Sequence, residues 1–232
     1  MRGRRLEGTG WREALAVALL AAAVGLGPFL PILLSREDAG STAMARAGKA
    51  GSGPLAPDAP LQDDAPLQDD AGLPEIVTPD EMPDGWVIRP PAGYRILALV
   101  LSRERYRFDT LSAVSPLDLM FGWGPISDPE VADQLDFSQG YRFGYFSSDG
   151  KSPLPFAEIL SSASNVHLIP ASPGVREDLL DLDVGDLVEL SGWLVDVEGP
   201  QGDRWKTSLV RTDGGAGACE ILFVAEVKVT AR

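Results

Sequence analysis

The chain has 232 residues, a formal net charge of −14 and a single cysteine. One cysteine excludes an intrachain disulfide, and the acidic balance disfavours nucleic acid as a partner because it repels a phosphate backbone. From residue 76 onward there are 24 acidic and 13 basic residues, a stretch long enough for one domain with its own hydrophobic core.

The N-terminal part has the pattern of a membrane anchor. Residues 1–13 contain four arginines and two glutamates, whereas residues 14–35 (ALAVALLAAAVGLGPFLPILLS) contain no charge. A helix of that length crosses a hydrocarbon core of about 30 Å, and its arginine-rich flank stays in the cytoplasm. We therefore expect a cytoplasmic basic segment, a single-pass signal-anchor helix in the inner (cytoplasmic) membrane, and an extracytoplasmic, periplasmic remainder.

A cleaved signal peptide is the alternative for this segment, because a basic start followed by an apolar run is typical of one. The apolar run is longer than the hydrophobic region of an ordinary signal peptide. It also continues through residues 27–34 (GPFLPILL) without a small-x-small cleavage site at its end. These two features favour the uncleaved anchor.

Residues 36–75 have the composition of a disordered linker. They are rich in Gly, Ala, Pro, Ser and Asp, contain no aromatic residue, and repeat APLQDD at 59–64 and 65–70. Such a stretch buries too little apolar surface to offset the entropy lost on ordering, and its prolines and like charges keep it extended. We expect a spacer between the membrane and a folded domain at residues 76–232.

Apolar periodicity and turn residues predict mostly strands in the folded domain. Strands are expected at residues 94–106, 139–146, 187–197, 204–211 and 219–229, the last three as an antiparallel meander. Short helices are expected to begin at Ser115, which can cap, at Phe156 with an extended piece after Ser162, and over residues 175–182. The fold class is therefore β-rich α+β: a small antiparallel, partly open barrel or curved sheet with one to three short helices.

The only histidine and the only cysteine form the sharpest candidate for chemistry. His167 can lower the thiol pKa of Cys219 and expose a thiolate for acyl transfer. Asp213 or Asn165 would orient the imidazole, and Arg211 would stabilise an oxyanion. The alternative is structural, because a free cysteine at the start of a strand is commonly a small buried hydrophobe.

The remaining polar motifs favour binding or plain structure. Residues 212–218 are glycine-rich, but neither a Lys-Ser/Thr pair nor a helix follows, so the loop is not a phosphate-binding P-loop. The carboxylates at 178–186 lack the pattern of a calcium loop. No cofactor or metal is expected. Trp193 and Trp205, together with Asn165, are candidates for a binding face, although tryptophan in a sheet commonly serves packing.

Three resemblances rest on these residues. Residues 185–193 (GDLVELSGW) resemble the first strand of oligonucleotide/oligosaccharide-binding (OB) barrels. The set SNVHLIPA at 164–171, Gly-Asp at 185–186 and RTDGGAGACE at 211–220 is similar to an uncharacterised group of bacterial membrane-anchored proteins, which implies organisation but no activity. A histidine followed by a cysteine beside strands is similar to sortases, but Cys219 lacks their Thr-x-Thr-Cys context.

Two functional hypotheses follow. The first is a non-enzymatic, membrane-tethered extracytoplasmic interaction module of the cell envelope, which binds an envelope protein or polymer and no nucleic acid. The second is a thiol acyltransferase or hydrolase that uses Cys219 and His167 in the envelope.

Overall fold

A computed structural model describes residues 65–210 and 218–231. The described residues form nine strands: β1 (Leu67–Asp69), β2 (Val87–Arg105), β3 (Leu117–Gly122), β4 (Asp136–Gly140), β5 (Phe143–Ser147), β6 (Ala163–Pro170), β7 (Leu187–Glu198), β8 (Arg204–Trp205) and β9 (Glu220–Ala231). They also form three α-helices, α1 (Pro129–Ala132), α2 (Phe156–Ser162) and α3 (Pro173–Leu180), and two short 3-10 helices, Thr110–Ala113 and Gly124–Ser127.

Five strands pair around a ring. The 19-residue β2 pairs with β3 along one edge and with β7 along the other, and β6 and β9 complete the order β2–β3–β6–β9–β7–β2. The β6–β9 pair is parallel and the other four pairs are antiparallel. The prediction of a strand-rich sheet with few helices, closing partly on itself, is therefore confirmed, although the sheet is not wholly antiparallel.

The long β2 strand accommodates two prolines by an irregularity. Its pairing with β7 shifts between Arg89 and Ala92, around Pro90 and Pro91. Proline has no N–H to donate to a ladder, so it is tolerated where a bulge interrupts the pairing. The predicted strand at 94–106 is confirmed, and it begins earlier because this bulge lets the ladder continue.

The ring encloses the main hydrophobic core. Tyr94, Ile96, Phe121 and Leu190 are fully buried there, and α3 contributes Leu179 to the same cluster. Gly192 lies in β7 beside a register shift of the β7–β9 ladder, where an added Cβ would overlap the carbonyl oxygen of Phe223. The close approach of the β7 and β9 backbones therefore requires glycine at this position.

Two predicted elements are wrong. The helix expected from Ser115 is strand β3 from Leu117, because all six of its residues are buried between β2 and β6, and this burial outweighs the capping pattern. The meander is also wrong. Strand β9 pairs directly with β7, on the edge opposite β2, and continues to β6, while β8 pairs only with the last two residues of that same edge of β7.

Other predictions differ in extent. The single strand expected at 139–146 is a two-stranded hairpin, β4–β5. The strand expected at 204–211 is limited to β8 among the described residues. The helix–strand succession after Phe156 is confirmed as α2 and β6, and the helix near residue 175 is confirmed as α3.

The described end of the predicted linker contains β1, which pairs with β2 at Leu67↔Arg95. That part of the linker expectation is corrected, because an edge strand gains backbone hydrogen bonds without needing a large apolar surface. Residues 1–13, the predicted anchor segment 14–35 and residues 36–64 of the predicted linker lie outside the described residues. Within the described part of the chain, no helix combines the length and hydrophobicity of a membrane span.

Candidate functional site

A cleft of about 500 Å³ opens on the β3–β6–β9 side of the ring. Its walls come from the β2–β3 connection, the β4–β5 turn, strand β6, strand β8 and the start of β9. The lining residues are Asp109, Thr110, Leu111, Arg142, Phe143, His167, Arg204, Trp205, Lys206, Cys219 and Ile221. The fold thus brings together residues that are widely separated in sequence.

Arg142 is the centre of the polar network beneath the cleft. It donates to Asp109 (Nε to Oδ2 2.8 Å, Nη2 to Oδ1 2.7 Å), to Asp118 Oδ1 (2.7 Å) and to the carbonyl of Ser115 (2.9 Å). Its guanidinium also lies 3.8 Å from the ring centroid of Tyr106. Burial disfavours the charged guanidinium, but the two carboxylates outweigh it and raise the pKa of Arg142. The ion pairs therefore keep this half-buried cation charged.

The backbone at Arg142 has an uncommon conformation. Tyr141 and Arg142 form the two-residue turn between β4 and β5, with φ values of 53° and 70°. A type I′ hairpin turn requires positive φ at both central residues and favours asparagine and glycine there. The contacts of the Arg142 side chain offset the cost of this backbone conformation.

Asp118 and His167 form a buried ion pair. They are direct partners across the β3–β6 ladder, and Asp118 is fully buried. His167 Nδ1 lies 2.9 Å from Asp118 Oδ2, an ion-pair distance, but the contact lacks the alignment of a good hydrogen bond. Burial lowers the pKa of the imidazole, whereas Asp118 and then Cys219 raise it, with a net result of about 9.

The charges of this cluster balance when His167 is protonated. Two cations, Arg142 and His167, then face two carboxylates, Asp109 and Asp118. Burial opposes ionisation of Asp109, but its bonds to Arg142 lower its pKa overall. A neutral His167 would leave the fully buried Asp118 paired only with Arg142, which also serves Asp109, and an underpaired buried carboxylate is costly. The electrostatics therefore favour an imidazolium at neutral pH.

Cys219 lies beside this pair at the edge of the cleft. Its thiol is half-buried and lies 3.7 Å from the carbonyl oxygen of Arg142. Asn165 Nδ2 lies 3.9 Å from the sulfur and donates to the same carbonyl at 3.2 Å. Gln139 Nε2 donates to Asn165 Oδ1 at 2.6 Å, which fixes the orientation of the amide.

The structure brings together three of the residues expected from sequence, His167, Cys219 and Asn165, and places Trp205 in the cleft wall, stacked on Trp86. Trp193 does not line the cleft, because it packs against Phe223 with ring centroids 5.7 Å apart. The other two expected residues, Arg211 and Asp213, lie outside the described residues, as does most of the 212–218 loop.

Sequence reasoning missed Asp118 and Arg142. Asp118 was interpreted as part of a helix start, although it stands between Leu117 and Leu119 in an apolar run. A carboxylate inside a buried strand needs a partner, and that was the available signal. No local pattern marked Arg142, because its role depends on a turn that brings it to residues far away in the sequence.

The outer wall of the cleft carries exposed cations. Arg204 bonds to Glu198 at 3.4 Å, and Lys206 has no ion-pair partner among the described residues. The segment Arg204–Lys206 also borders a second hollow of about 260 Å³ on its other side. The described residues contain no cluster of side chains suited to hold a metal ion.

Comparisons of the chain with family models, with curated proteins and with solved structures give no significant match.

Proposed function

We propose that the chain is a membrane-tethered, extracytoplasmic interaction module of the cell envelope, and that the cleft beside Trp205 is its ligand site. The observation that carries this proposal is the pair of exposed cations, Arg204 and Lys206, on one concave, partly aromatic surface of a strongly acidic protein. Concave sites with a few convergent polar groups are the usual places for small ligands to bind. The apolar, uncharged segment 14–35 supports the membrane tether.

The sheet supports assignment to the OB type of barrel. In chain order, the five ring strands are β2, β3, β6, β7 and β9. Around the ring, β9 lies between β6 and β7, so the fifth strand stands between the third and the fourth, as in a five-stranded Greek-key barrel. Residues 185–193, which resemble the first strand of an OB barrel, run into β7, which is the fourth strand here. In OB barrels the second and third strands and the loops after the first and fourth strands form the binding surface. The cleft uses the corresponding parts of this chain.

The chemistry of the cleft favours an acidic, ring-containing ligand. Lys206 and Arg204 supply charge, and the half-buried face of Trp205 offers a stacking surface. The hollows on both sides of residues 204–206 suit an extended ligand such as an anionic polysaccharide of the envelope. The acidic charge of the rest of the domain disfavours nucleic acid.

The test is a binding titration of the full chain in a mild detergent. The probes are an oligogalacturonate, which carries carboxylates, and a neutral maltooligosaccharide of equal length, with tryptophan fluorescence as the readout. The proposal expects binding of the acidic probe only, weakened by added salt. It also expects a loss of about tenfold in Lys206→Gln, since one charge-assisted contact is worth about 1.4 kcal/mol.

Lys228→Gln is the matched control, because Lys228 is also an exposed lysine but lies on β9 away from the cleft lining. Equal losses in the two variants, equal binding of the two probes, or no binding of either would contradict the proposal. A protease that digests the folded domain only from the extracytoplasmic side of intact vesicles would support the orientation, and digestion only from the cytoplasmic side would refute it.

A further inference from the structure

Asp118 and His167 face each other on two adjacent ring strands, and Cys219 directly precedes the next strand, β9, an arrangement that ligand binding alone does not require. Asp118 opposes His167 in the β3–β6 ladder, and His167 opposes Ile221 in the β6–β9 ladder. Cys219 stands two residues before Ile221, just outside β9, and lines the same cleft as Ile221. The sulfur and the imidazole both border the cleft.

We propose that these three residues form a thiol-based triad that catalyses acyl transfer from an activated ester or thioester whose acyl or leaving group bears a negative charge. Cys219 is the nucleophile and His167 the acid and base. Asp118 is a positioning residue that holds the imidazole. The inference uses the same cleft as the proposed binding function but does not depend on it.

The surroundings of the thiol support a thiolate–imidazolium pair. His167 faces Asp118 on β3 and Cys219 beside β9, while Arg142 and Asp109 balance each other nearby. Across the cleft are Arg204 and Lys206. A protonated imidazole next to a thiol stabilises the thiolate.

The reaction needs no external oxidant or cofactor. The Cys219 thiolate attacks the acyl carbonyl and forms a carbon–sulfur bond. The carbon–oxygen or carbon–sulfur bond of the leaving group then breaks, and the leaving group takes the proton of His167. In the second half, neutral His167 removes a proton from water or another acceptor, which attacks the thioester and releases Cys219 as thiolate. Asn165 Nδ2, 3.9 Å from the sulfur, is the nearby amide donor for the developing oxyanion.

Alkylation of the full chain in detergent with iodoacetamide tests the thiolate directly, because Cys219 is the sole cysteine. An ordinary thiol with a pKa of about 8.5 is under about 1% ionised at pH 6. The proposal expects the wild-type rate at pH 6 to exceed that of the urea-denatured chain by at least about tenfold. An alkylation midpoint at or above 8.5, or labelling only after denaturation, overturns it.

Variants separate positioning from folding. Asp118→Asn is expected to raise the midpoint pH of alkylation, and His167→Gln is expected to abolish the fast alkylation at pH 6. The exposed Asp149→Asn should leave the pH profile of alkylation unchanged. Circular dichroism shows whether each variant is folded. If Asp118→Asn does not fold, the alkylation profile of the wild type alone tests whether Cys219 is a thiolate. An unchanged midpoint in folded Asp118→Asn removes Asp118 from the proposal.

Acyl transfer is tested with 3-carboxy-4-nitrophenyl acetate, an activated ester whose leaving group bears a carboxylate. The expected result is a burst of 3-carboxy-4-nitrophenolate equal to the protein concentration, with an acetyl group on Cys219 detected by mass spectrometry and removed by hydroxylamine. Cys219→Ser should show no burst. A reactive thiol that forms no acyl intermediate would overturn the acyl-transfer step, whatever the outcome of the saccharide titration.

Discussion

The protonation of His167 should make the stability of the fold depend on pH. The pKa of the folded state, about 9, is above the ordinary value of 6.5, so the proton binds more tightly to the folded protein. The resulting stabilisation is fully present below pH 6.5 and is lost as pH rises through 9. A difference of this size corresponds to about 3 kcal/mol. Solvent screens it little, because the side chains of His167 and Asp118 are 9% and 0% exposed.

The assay is urea unfolding of the full chain in mild detergent, followed by tryptophan fluorescence at pH 6, 8 and 10. His167→Gln is the reference, because other groups titrate over the same range in both proteins. At pH 6 the wild type should be more stable than the variant by about 3 kcal/mol beyond their difference at pH 10, and at pH 8 about half of that excess should remain. A difference that is constant from pH 6 to pH 10 would refute the reasoning.

Three further predictions concern the backbone and the ion pairs. Gly192→Ala should lower the free energy of unfolding by about 4 kcal/mol or prevent folding, because the new methyl group overlaps a backbone carbonyl. Gly140→Ala, with open space around it, should change the free energy of unfolding in urea by less than about 1 kcal/mol. Tyr141→Asn should raise the free energy of unfolding by about 1 kcal/mol, since asparagine tolerates positive φ and the tyrosine side chain is exposed; a lower melting temperature would contradict this. Arg142→Lys should lower the free energy of unfolding by about 3 kcal/mol, because lysine cannot replace the guanidinium fork between two carboxylates and leaves Asp118 poorly paired. A loss below about 0.5 kcal/mol, measured by urea unfolding, would argue against that role of Arg142.

Local patterns in the sequence predicted the elements whose form is set locally. The β7 strand alternates apolar and polar residues, and α2 changes to β6 at the residue expected. The helix expected at Ser115 failed because capping residues contribute little compared with the burial of six consecutive side chains. The position of β9 could not be read from its neighbours in sequence, since its partner β6 is separated from it by β7 and β8.

The same limit applies to the candidate site. The rarity of histidine and cysteine singled out His167 and Cys219, and the structure places both in the lining of one cleft. Their carboxylate partner is Asp118, whereas sequence reasoning named Asp213 or Asn165. Asp118 and His167 become partners because they pair across the β3–β6 ladder, and their spacing along the chain does not predict this pairing. Asn165 is nevertheless present, beside the sulfur and not beside the imidazole nitrogen that faces Asp118.

The parallel pairing of β6 with β9 has a consequence for how the newly made domain folds. Val166 pairs with Glu220, and Val87 of β2 pairs with Glu198 of β7. Contacts of such high sequence separation make folding slow, because loop closure must precede the gain from pairing. Until β9 has been synthesised, β6 presents an unpaired edge that can join another nascent chain. We therefore expect the emerging polypeptide to depend on a chaperone for as long as that edge is open.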